Sequence, residues 1–136
     1  CLKQKRKFYI SNNLKIAKKF KLDGVYIPSF NNLLNLKNLS TLKNFKIIGS
    51  AHNKMQVINK QKQGCEEIFI APIFKTKKSN FFLDISKFNL ISNFSSIKII
   101  ALGGINFNNF YKLRAVNCFG FAAIEWIKKT GLNKNK

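Results

Sequence analysis

Two adjacent glycines, Gly103 and Gly104, follow a short apolar run from Ile97 to Leu102 that is interrupted only by Lys98. A β-branched run that ends at glycine is typical of a buried parallel strand. Glycines at the carboxyl end of such a strand let a ligand reach backbone N–H groups, and a helix that follows adds a favourable dipole. This arrangement suits a phosphate group. A tight strand-to-helix turn without a ligand is the alternative, because short glycine motifs have low specificity.

Polar residues also follow the other apolar runs of the chain. If the predicted strands are parallel, their carboxyl ends meet at one rim, where we expect Ser11, Asn12, Tyr26, Ser29, Ser50, His52, Thr76, Lys77, Lys78, Gly103, Gly104 and Glu125. Hydroxyls, amides, lysines and backbone N–H groups favour binding of a phosphorylated anion over proton-transfer chemistry. Lys77 and Lys78 lie on a predicted flexible loop, either as point charges that close over a diphosphate or as an ordinary solvated basic loop.

Few residues of the chain are suited to acid–base catalysis. His52 is the only histidine, which excludes a histidine-based metal cluster and leaves a structural or a catalytic role open. Among the carboxylates, only Glu125 is expected to reach the rim. The others fall at helix–strand turns or helix starts, namely Asp23, Glu66, Glu67 and Asp84.

These residues are positioned by a repeat of strand and helix. Strands are predicted to begin near residues 7, 24, 46, 68, 97 and 120, and a helical segment follows each of them. Strict alternation predicts an α/β fold with a parallel sheet, either a doubly wound sheet or a (β/α) barrel. The predicted helices include 14–22, 54–63, 83–94 and 107–116, one loose helix or two short ones over 31–44, and a helix that starts at Glu125. In the second of these, Met55 and Ile58 are predicted to face inward, with Val57 as a further candidate.

Composition narrows the class of protein. The 136 residues suit one domain, which we predict over 1–129 with a basic flexible tail over 130–136. The net charge of +20 suggests nucleic acid as a partner, but the lysines are spread along the chain and only two residues are arginines, so no specific nucleic acid is predicted. Three cysteines without metal-ligand spacing suit reduced thiols in a cytoplasmic protein, and neither a signal peptide nor a membrane span is predicted. The abrupt start at Cys1 leads us to expect a preceding segment.

Four segments together resemble the thiamine phosphate synthase/TenI family: Asp23–Ile27, Ile48–His52, Ala71–Lys77 and Ala101–Ile105. The resemblance implies an incomplete (β/α)₈ TIM barrel with about six of its eight units. It also implies a Mg²⁺-assisted reaction in which a pyrimidine diphosphate and a thiazole phosphate give thiamine phosphate and pyrophosphate. Pro72 stands where thiazole-isomerising relatives place histidine, which favours the synthase branch.

The resemblance also implies roles for single residues. Ser50 and either Lys77 or Lys78 correspond to catalytic contacts to the diphosphate, Thr76 lies at the thiazole end, and Gly103 and Gly104 hold the thiazole phosphate. The full set of implied substrate-binding positions is Asn12, Tyr26, His52, Thr76, Gly103, Gly104 and Ile105. The family's two metal-binding aspartates fall at Asn12 and near Asn31, and a serine after its last strand falls at Glu125. Mg²⁺ would therefore be held mainly by substrate oxygens. Phosphorylated small molecules are the expected partners, the open barrel edge suggests a homo-oligomer, and phosphate binding without turnover is the alternative function.

Overall fold

The computed structural model of the protein describes residues 6–33, 36 and 44–131. The six strands are β1 Tyr9–Ser11, β2 Gly24–Ile27, β3 Lys46–Ala51, β4 Glu67–Ile70, β5 Lys98–Leu102 and β6 Gly120–Ala122. The helices are α1 Leu14–Lys19, α2 Lys54–Lys62, α3 Asp84–Ser92 and α4 Ile124–Gly131, with a 3₁₀ helix at Phe110–Ala115. Most of the helix predicted over 31–44 lies outside the described residues.

All six strands form one parallel sheet in the order β1-β2-β3-β4-β5-β6. The predicted parallel α/β architecture is therefore confirmed. A doubly wound sheet reverses its strand order at a switch point, whereas here each strand pairs with its neighbours in the chain. The strand order thus favours the barrel-type arrangement over the doubly wound one.

Side-chain caps define where two of the helices begin. The side chain of Asn13 accepts a hydrogen bond from the N–H of Ile16 at 3.0 Å, and Asn53 does the same for Gln56 at 3.0 Å. Both are N-cap interactions of the kind that asparagine favours. Gly64 follows α2 with a φ of 82°, as expected for a glycine that ends a helix.

One face of the sheet forms the core with the helices. Residues of alternate strand positions point to this face, and α1, α2 and α3 contribute Ala17, Val57 and Phe88 to it. The fully buried strand residues of this core are Val25, Ile27, Ile47, Ala51, Ile68, Ile70 and Ala101. This packing fixes the register of the sheet, because a shift by one residue would turn the apolar set away from the helices.

Several predicted details are wrong. Met55 is 64% exposed, because the inward face of α2 carries Val57 and a helix turns through about 200° in two residues. The helix predicted over 14–22 ends at Lys19 as α1, and Phe20 just beyond it is 63% exposed. The helix predicted to start at Glu125 begins one residue earlier, at Ile124.

The segment predicted as a helix over 107–116 contains the 3₁₀ helix Phe110–Ala115. Asparagine side chains bond to the backbone just before it, and such bonds compete with helical ones. At the other end of the chain, α4 includes Thr130 and Gly131, the first two residues of the predicted tail. Residues 132–136 lie outside the described part of the chain.

Candidate functional site

The rim at the carboxyl ends of the strands brings the predicted site residues to one edge of the sheet. Because the strands are parallel and adjacent, the segments that follow β1 to β6 all emerge on the same side. The glycine pair after β5 therefore lies on the same edge as Ser50 near the end of β3 and as the segment after β4 that carries Thr76. The geometry that the sequence predicted for this edge is confirmed at the level of topology.

The glycine pair adopts backbone conformations that residues with a Cβ rarely occupy. Gly103 has a φ of 97° and Gly104 a φ of 71°. A Cβ at Gly104 would lie 2.5 Å from the carbonyl oxygens of both Phe74 and Lys75. The segment after β4 is also bonded to this turn, because the N–H of Phe74 donates to the carbonyl of Gly103 at 3.1 Å. Close packing of one rim loop on another therefore explains the glycines, in addition to any ligand.

Two asparagines that the sequence analysis did not single out organise the glycine turn. Asn109 donates through Nδ2 to the carbonyl of Gly104 at 2.8 Å, and Asn106 does so at 3.2 Å. The N–H of Asn106 in turn donates to Oδ1 of Asn109 at 2.9 Å. Within residues 6–33, 36 and 44–131, the backbone N–H groups of Gly104 and Ile105 have no acceptor. The turn thus presents two unpaired donors on a fixed backbone.

Ile105 contributes to this site through its backbone alone. Its side chain is 4% exposed and belongs to the core cluster. The predicted substrate contact of this residue therefore reduces to its N–H group. An apolar side chain in the core anchors the turn from below.

The two rim lysines stand on a short closed turn. The N–H of Ser79 donates to Oγ1 of Thr76 at 3.2 Å, and the N–H of Thr76 donates to the carbonyl of Ser79 at 3.3 Å. Lys77 and Lys78 lie between these residues and are exposed. The Thr76 hydroxyl therefore shapes the turn, and the placement of Thr76 at the thiazole end of the site stays a prediction.

The first turn of α4 places a carboxylate opposite the lysine turn. Oε2 of Glu125 lies 4.0 Å from Nζ of Lys77, and both side chains are largely exposed. The neighbouring Trp126 stacks on Phe121 with ring centroids 6.4 Å apart, and it also packs against Phe110 at 5.6 Å. Aromatic packing thus fixes the start of α4 against the last strand.

An asparagine pair occupies the rim above β1 and β2. Asn31 donates through Nδ2 to Oδ1 of Asn12 at 2.6 Å. Asn12 has a φ of 53°, which asparagine tolerates, and its N–H donates to the carbonyl of Tyr26 at 2.8 Å. The N–H of Leu33 donates to Oδ1 of Asn31 at 2.8 Å. Each amide therefore has a defined orientation.

This donor set does not fit a resident Mg²⁺ ion. Mg²⁺ is held in proteins by one or two carboxylates together with water or phosphate oxygens. The positions implied as metal ligands carry the neutral amides of Asn12 and Asn31, and the oxygen of Asn12 already accepts a hydrogen bond. The described part of the chain contains no group of three or more histidine, cysteine, aspartate or glutamate residues that could hold a metal.

Ser50 and His52 end β3 in different environments. Ser50 is 7% exposed, so its side chain is buried near the carboxyl end of β3. His52 is exposed, and its Nδ1 lies 2.6 Å from the carbonyl of Ala71. A carbonyl can only accept, so Nδ1 carries the proton. His52 thus ties the ends of β3 and β4 together, whereas the side chain of Ser50 is buried near the end of β3.

Carboxylates away from the rim have structural partners. Asp23 accepts a hydrogen bond from the N–H of Phe8 at 2.7 Å. Glu67, at the amino end of β4, forms an ion pair with Lys46 at 2.5 Å. The prediction that these two acidic residues lie at helix–strand turns or helix starts, away from the rim, agrees with their positions.

Comparisons with known proteins agree with this geometry. The thiamine-phosphate synthase of Prochlorococcus marinus subsp. pastoris is 35% identical over 118 residues, which are 84% of this chain and 33% of that protein. The corresponding enzyme of Pelagibacter ubique is 32% identical over 128 residues, covering 91% of this chain and 60% of that protein. The solved thiamine phosphate pyrophosphorylase of Pyrococcus furiosus shares the fold, with a TM-score of 0.70, 18% identity and coverage of 90% and 59% of the two chains.

The chain thus spans between about a third and about three fifths of the length of these relatives. None of the helices in its described part has both the length and the apolar character needed to cross a bilayer. A sequence model of the family described as thiamine monophosphate synthase matches residues 1–127. On this match and the similarity of the relatives, the chain belongs to the thiamine monophosphate synthase family.

Proposed function

We propose that the rim binds phosphorylated substrates and that the chain supports thiamine phosphate formation, as the names of its relatives suggest. The observation that carries this proposal is the pair of unpaired N–H groups at Gly104 and Ile105, on the same rim as the lysine turn. Backbone N–H groups on a glycine turn bind phosphate well, because several donors converge on the anion. Lysines add charge that does not depend on a fixed geometry.

The reaction breaks the bond between the pyrimidine methylene carbon and a diphosphate oxygen, and the electron pair leaves with pyrophosphate. The thiazole nitrogen then forms a new bond to that carbon. Lys77, Lys78 and the Ser50 hydroxyl stabilise the negative charge that develops on the leaving group. The N–H groups of Gly104 and Ile105 hold the thiazole phosphate.

Residues around β1 and β2 bind the pyrimidine part of the diphosphate substrate. Asn12 retains its Nδ2 donor for the ligand, because its oxygen is occupied by Asn31. Tyr26 lies in register with Ser11 and Ile48 on neighbouring strands. We assign Asn12 and Tyr26 to the pyrimidine end and Thr76 to the thiazole end. His52 shapes the rim between them through its bond to Ala71.

A second candidate function is binding of the same ligands without turnover. The uncharged pair of Asn12 and Asn31 favours it, because neither amide supplies a carboxylate to hold a metal ion on the diphosphate. Glu125 favours it as well, because its charge opposes an anion near Lys77.

Two measurements separate these functions. Calorimetric titration with inorganic pyrophosphate and with thiazole phosphate measures binding, and release of pyrophosphate from the two substrates measures turnover. We expect both anions to bind and Lys77→Ala with Lys78→Ala to weaken pyrophosphate binding by roughly tenfold. Lys62→Ala is the matched control, because Lys62 is an exposed lysine of α2.

Binding without turnover selects the second candidate. Absence of binding to either anion refutes the proposal that this rim is an anion site. If the Lys77→Ala, Lys78→Ala variant and the Lys62→Ala variant lose the same pyrophosphate affinity per lysine removed, the binding depends on net charge alone.

A further inference from the structure

We propose that Lys60 and Gln63, buried behind the sheet, are positioning residues that hold the loop after β2 and thereby orient the Asn12–Asn31 pair at the rim. The inference deepens the proposed function, on which its effect on ligand binding rests. The holding of the loop itself stands on geometry alone.

Both side chains are fully buried and bond to the backbone of that loop. Nζ of Lys60 donates to the carbonyl of Asn31 at 2.7 Å and to Oε1 of Gln63 at 2.9 Å. Nε2 of Gln63 donates to the carbonyls of Asn31 and Leu33, each at 2.9 Å. Three hydrogen bonds from the carboxyl-terminal end of α2 therefore fix the carbonyls of Asn31 and Leu33, two residues apart in the loop.

A lysine in this place is costly without a specific role. A buried ammonium group loses its hydration, and burial lowers the pKa of Lys60. No carboxylate in the described part of the chain pairs with it. Its donors go instead to a carbonyl and an amide oxygen, so the hydrogen bonds to the loop are its main compensation. An apolar residue would fill the same space at lower cost.

The sheet leaves room for this side chain at Gly49 of β3. A Cβ at Gly49 would lie 2.8 Å from Cδ of Lys60 and 2.9 Å from Sγ of Cys65. The absence of a side chain at Gly49 therefore allows Lys60 to run beneath the strand towards the loop. This close approach links one glycine of the sheet to the position of a rim loop.

The held loop leads directly to the rim. Asn31, whose carbonyl receives two of the three bonds, donates through its side chain to Asn12 at 2.6 Å. The N–H of Leu33 also donates to the side chain of Asn31. If Lys60 and Gln63 no longer bind the carbonyl of Asn31, the side chain of Asn31 loses its fixed direction. Asn12 then loses the hydrogen-bond partner that directs the Nδ2 group of Asn12 outward.

The test compares Lys60→Met with Lys62→Met. The first change keeps the length and apolar stem of the side chain and removes Nζ, whereas the second removes an exposed lysine of the same helix. We expect Lys60→Met to speed amide exchange at Leu33 by about tenfold, the effect of losing a charge-assisted hydrogen bond, while exchange at Val57 in α2 stays unchanged. Pyrophosphate affinity should fall about threefold to tenfold, and Lys62→Met should change neither quantity.

A second variant keeps the test decisive if Lys60→Met does not fold. Gln63→Glu retains an acceptor for Lys60 and removes both donors to Asn31 and Leu33. It should again speed exchange at Leu33 without affecting Val57. A merely structural role would instead raise exchange at both positions together.

The outcomes separate this inference from the proposed function. Unchanged exchange at Leu33 in either folded variant overturns the inference. Faster exchange with unaltered pyrophosphate affinity overturns the link to the rim. If the wild-type protein binds no pyrophosphate, the proposed function fails, and the exchange measurement alone decides whether Lys60 and Gln63 hold the loop.

Discussion

Replacement of Gly104 by alanine tests the central feature of the rim. A residue with a Cβ at a φ of 71° costs about 1–2 kcal/mol. The new Cβ would also lie 2.5 Å from the carbonyl oxygens of Phe74 and Lys75, and relief of such overpacking costs about 1–3 kcal/mol. Gly104→Ala should therefore destabilise the fold by roughly 2–5 kcal/mol, which lowers Tm by roughly 7–18 °C in a domain of this size.

Two further variants separate backbone strain from the close contact. Gly120→Ala is the control, because a Cβ there would meet only Cδ1 of Ile100 at 3.7 Å, and its effect should stay within about 0.5 kcal/mol. Asparagine tolerates positive φ, but it still carries a Cβ. Gly104→Asn should therefore lose nearly as much stability as Gly104→Ala.

Urea and thermal unfolding measure these differences, and pyrophosphate titration follows the site in parallel. A Gly104→Asn variant with wild-type stability would show that backbone strain alone accounts for the glycine. A Gly104→Ala variant with wild-type stability would refute the close packing of the two rim loops altogether.

Further predictions concern charge and protonation at other positions. Glu125→Gln should raise pyrophosphate affinity at low salt, because it removes a negative charge beside Lys77. The increase should be only about twofold to threefold, since charges on exposed side chains interact weakly and are screened by salt. A titration that shows no increase would place Glu125 away from the bound anion. The double change Asn12→Asp and Asn31→Asp brings two carboxylates together, and their repulsion should lower Tm in the presence of a chelator. Added Mg²⁺ should restore the Tm of this variant, because the ion binds both carboxylates. An equal rise in the Tm of the wild type with Mg²⁺ would contradict the conclusion that the asparagine pair does not fit the metal. Burial raises the pKa of the Cys65 thiol to about 12 from an ordinary value of 9.0, so the folded protein retains a proton that the unfolded chain loses. This contribution to stability is complete below about pH 9 and is lost as the pH rises towards about 12. The Tm of Cys65→Ala should therefore fall less over this pH range than the Tm of the wild type. An equal fall in the two proteins would contradict the raised pKa of Cys65.

The sheet could be predicted from the sequence because its strands are short β-branched runs set off by glycine or polar residues. Their order along the chain then fixed the rim. The inward face of α2 was harder to predict, since Lys60 and Gln63 have the polar character of an exposed helix surface. Their burial depends on the space left by Gly49, which comes from a different strand.

The rim loops show the same limit. The glycine pair is conspicuous in the sequence, but the reason for it lies in Phe74 and Lys75, about thirty residues earlier. The asparagines that hold this turn, Asn106 and Asn109, could have been found from their spacing of two and five residues after Gly104. Contacts within a few residues were thus accessible from the sequence, and those between segments required the structure.

The agreement between strand order and chain order has a consequence for how the protein tolerates rearrangement. Among the strands that the structure describes, each pairs only with its neighbours in the chain. A cut between two consecutive units therefore separates the partners of a single ladder and leaves every other described pairing within one fragment or the other. Two co-expressed fragments divided at such a junction have only that ladder and its flanking helix contacts to re-form. The βα unit is therefore the natural module for splitting, grafting or duplicating this scaffold.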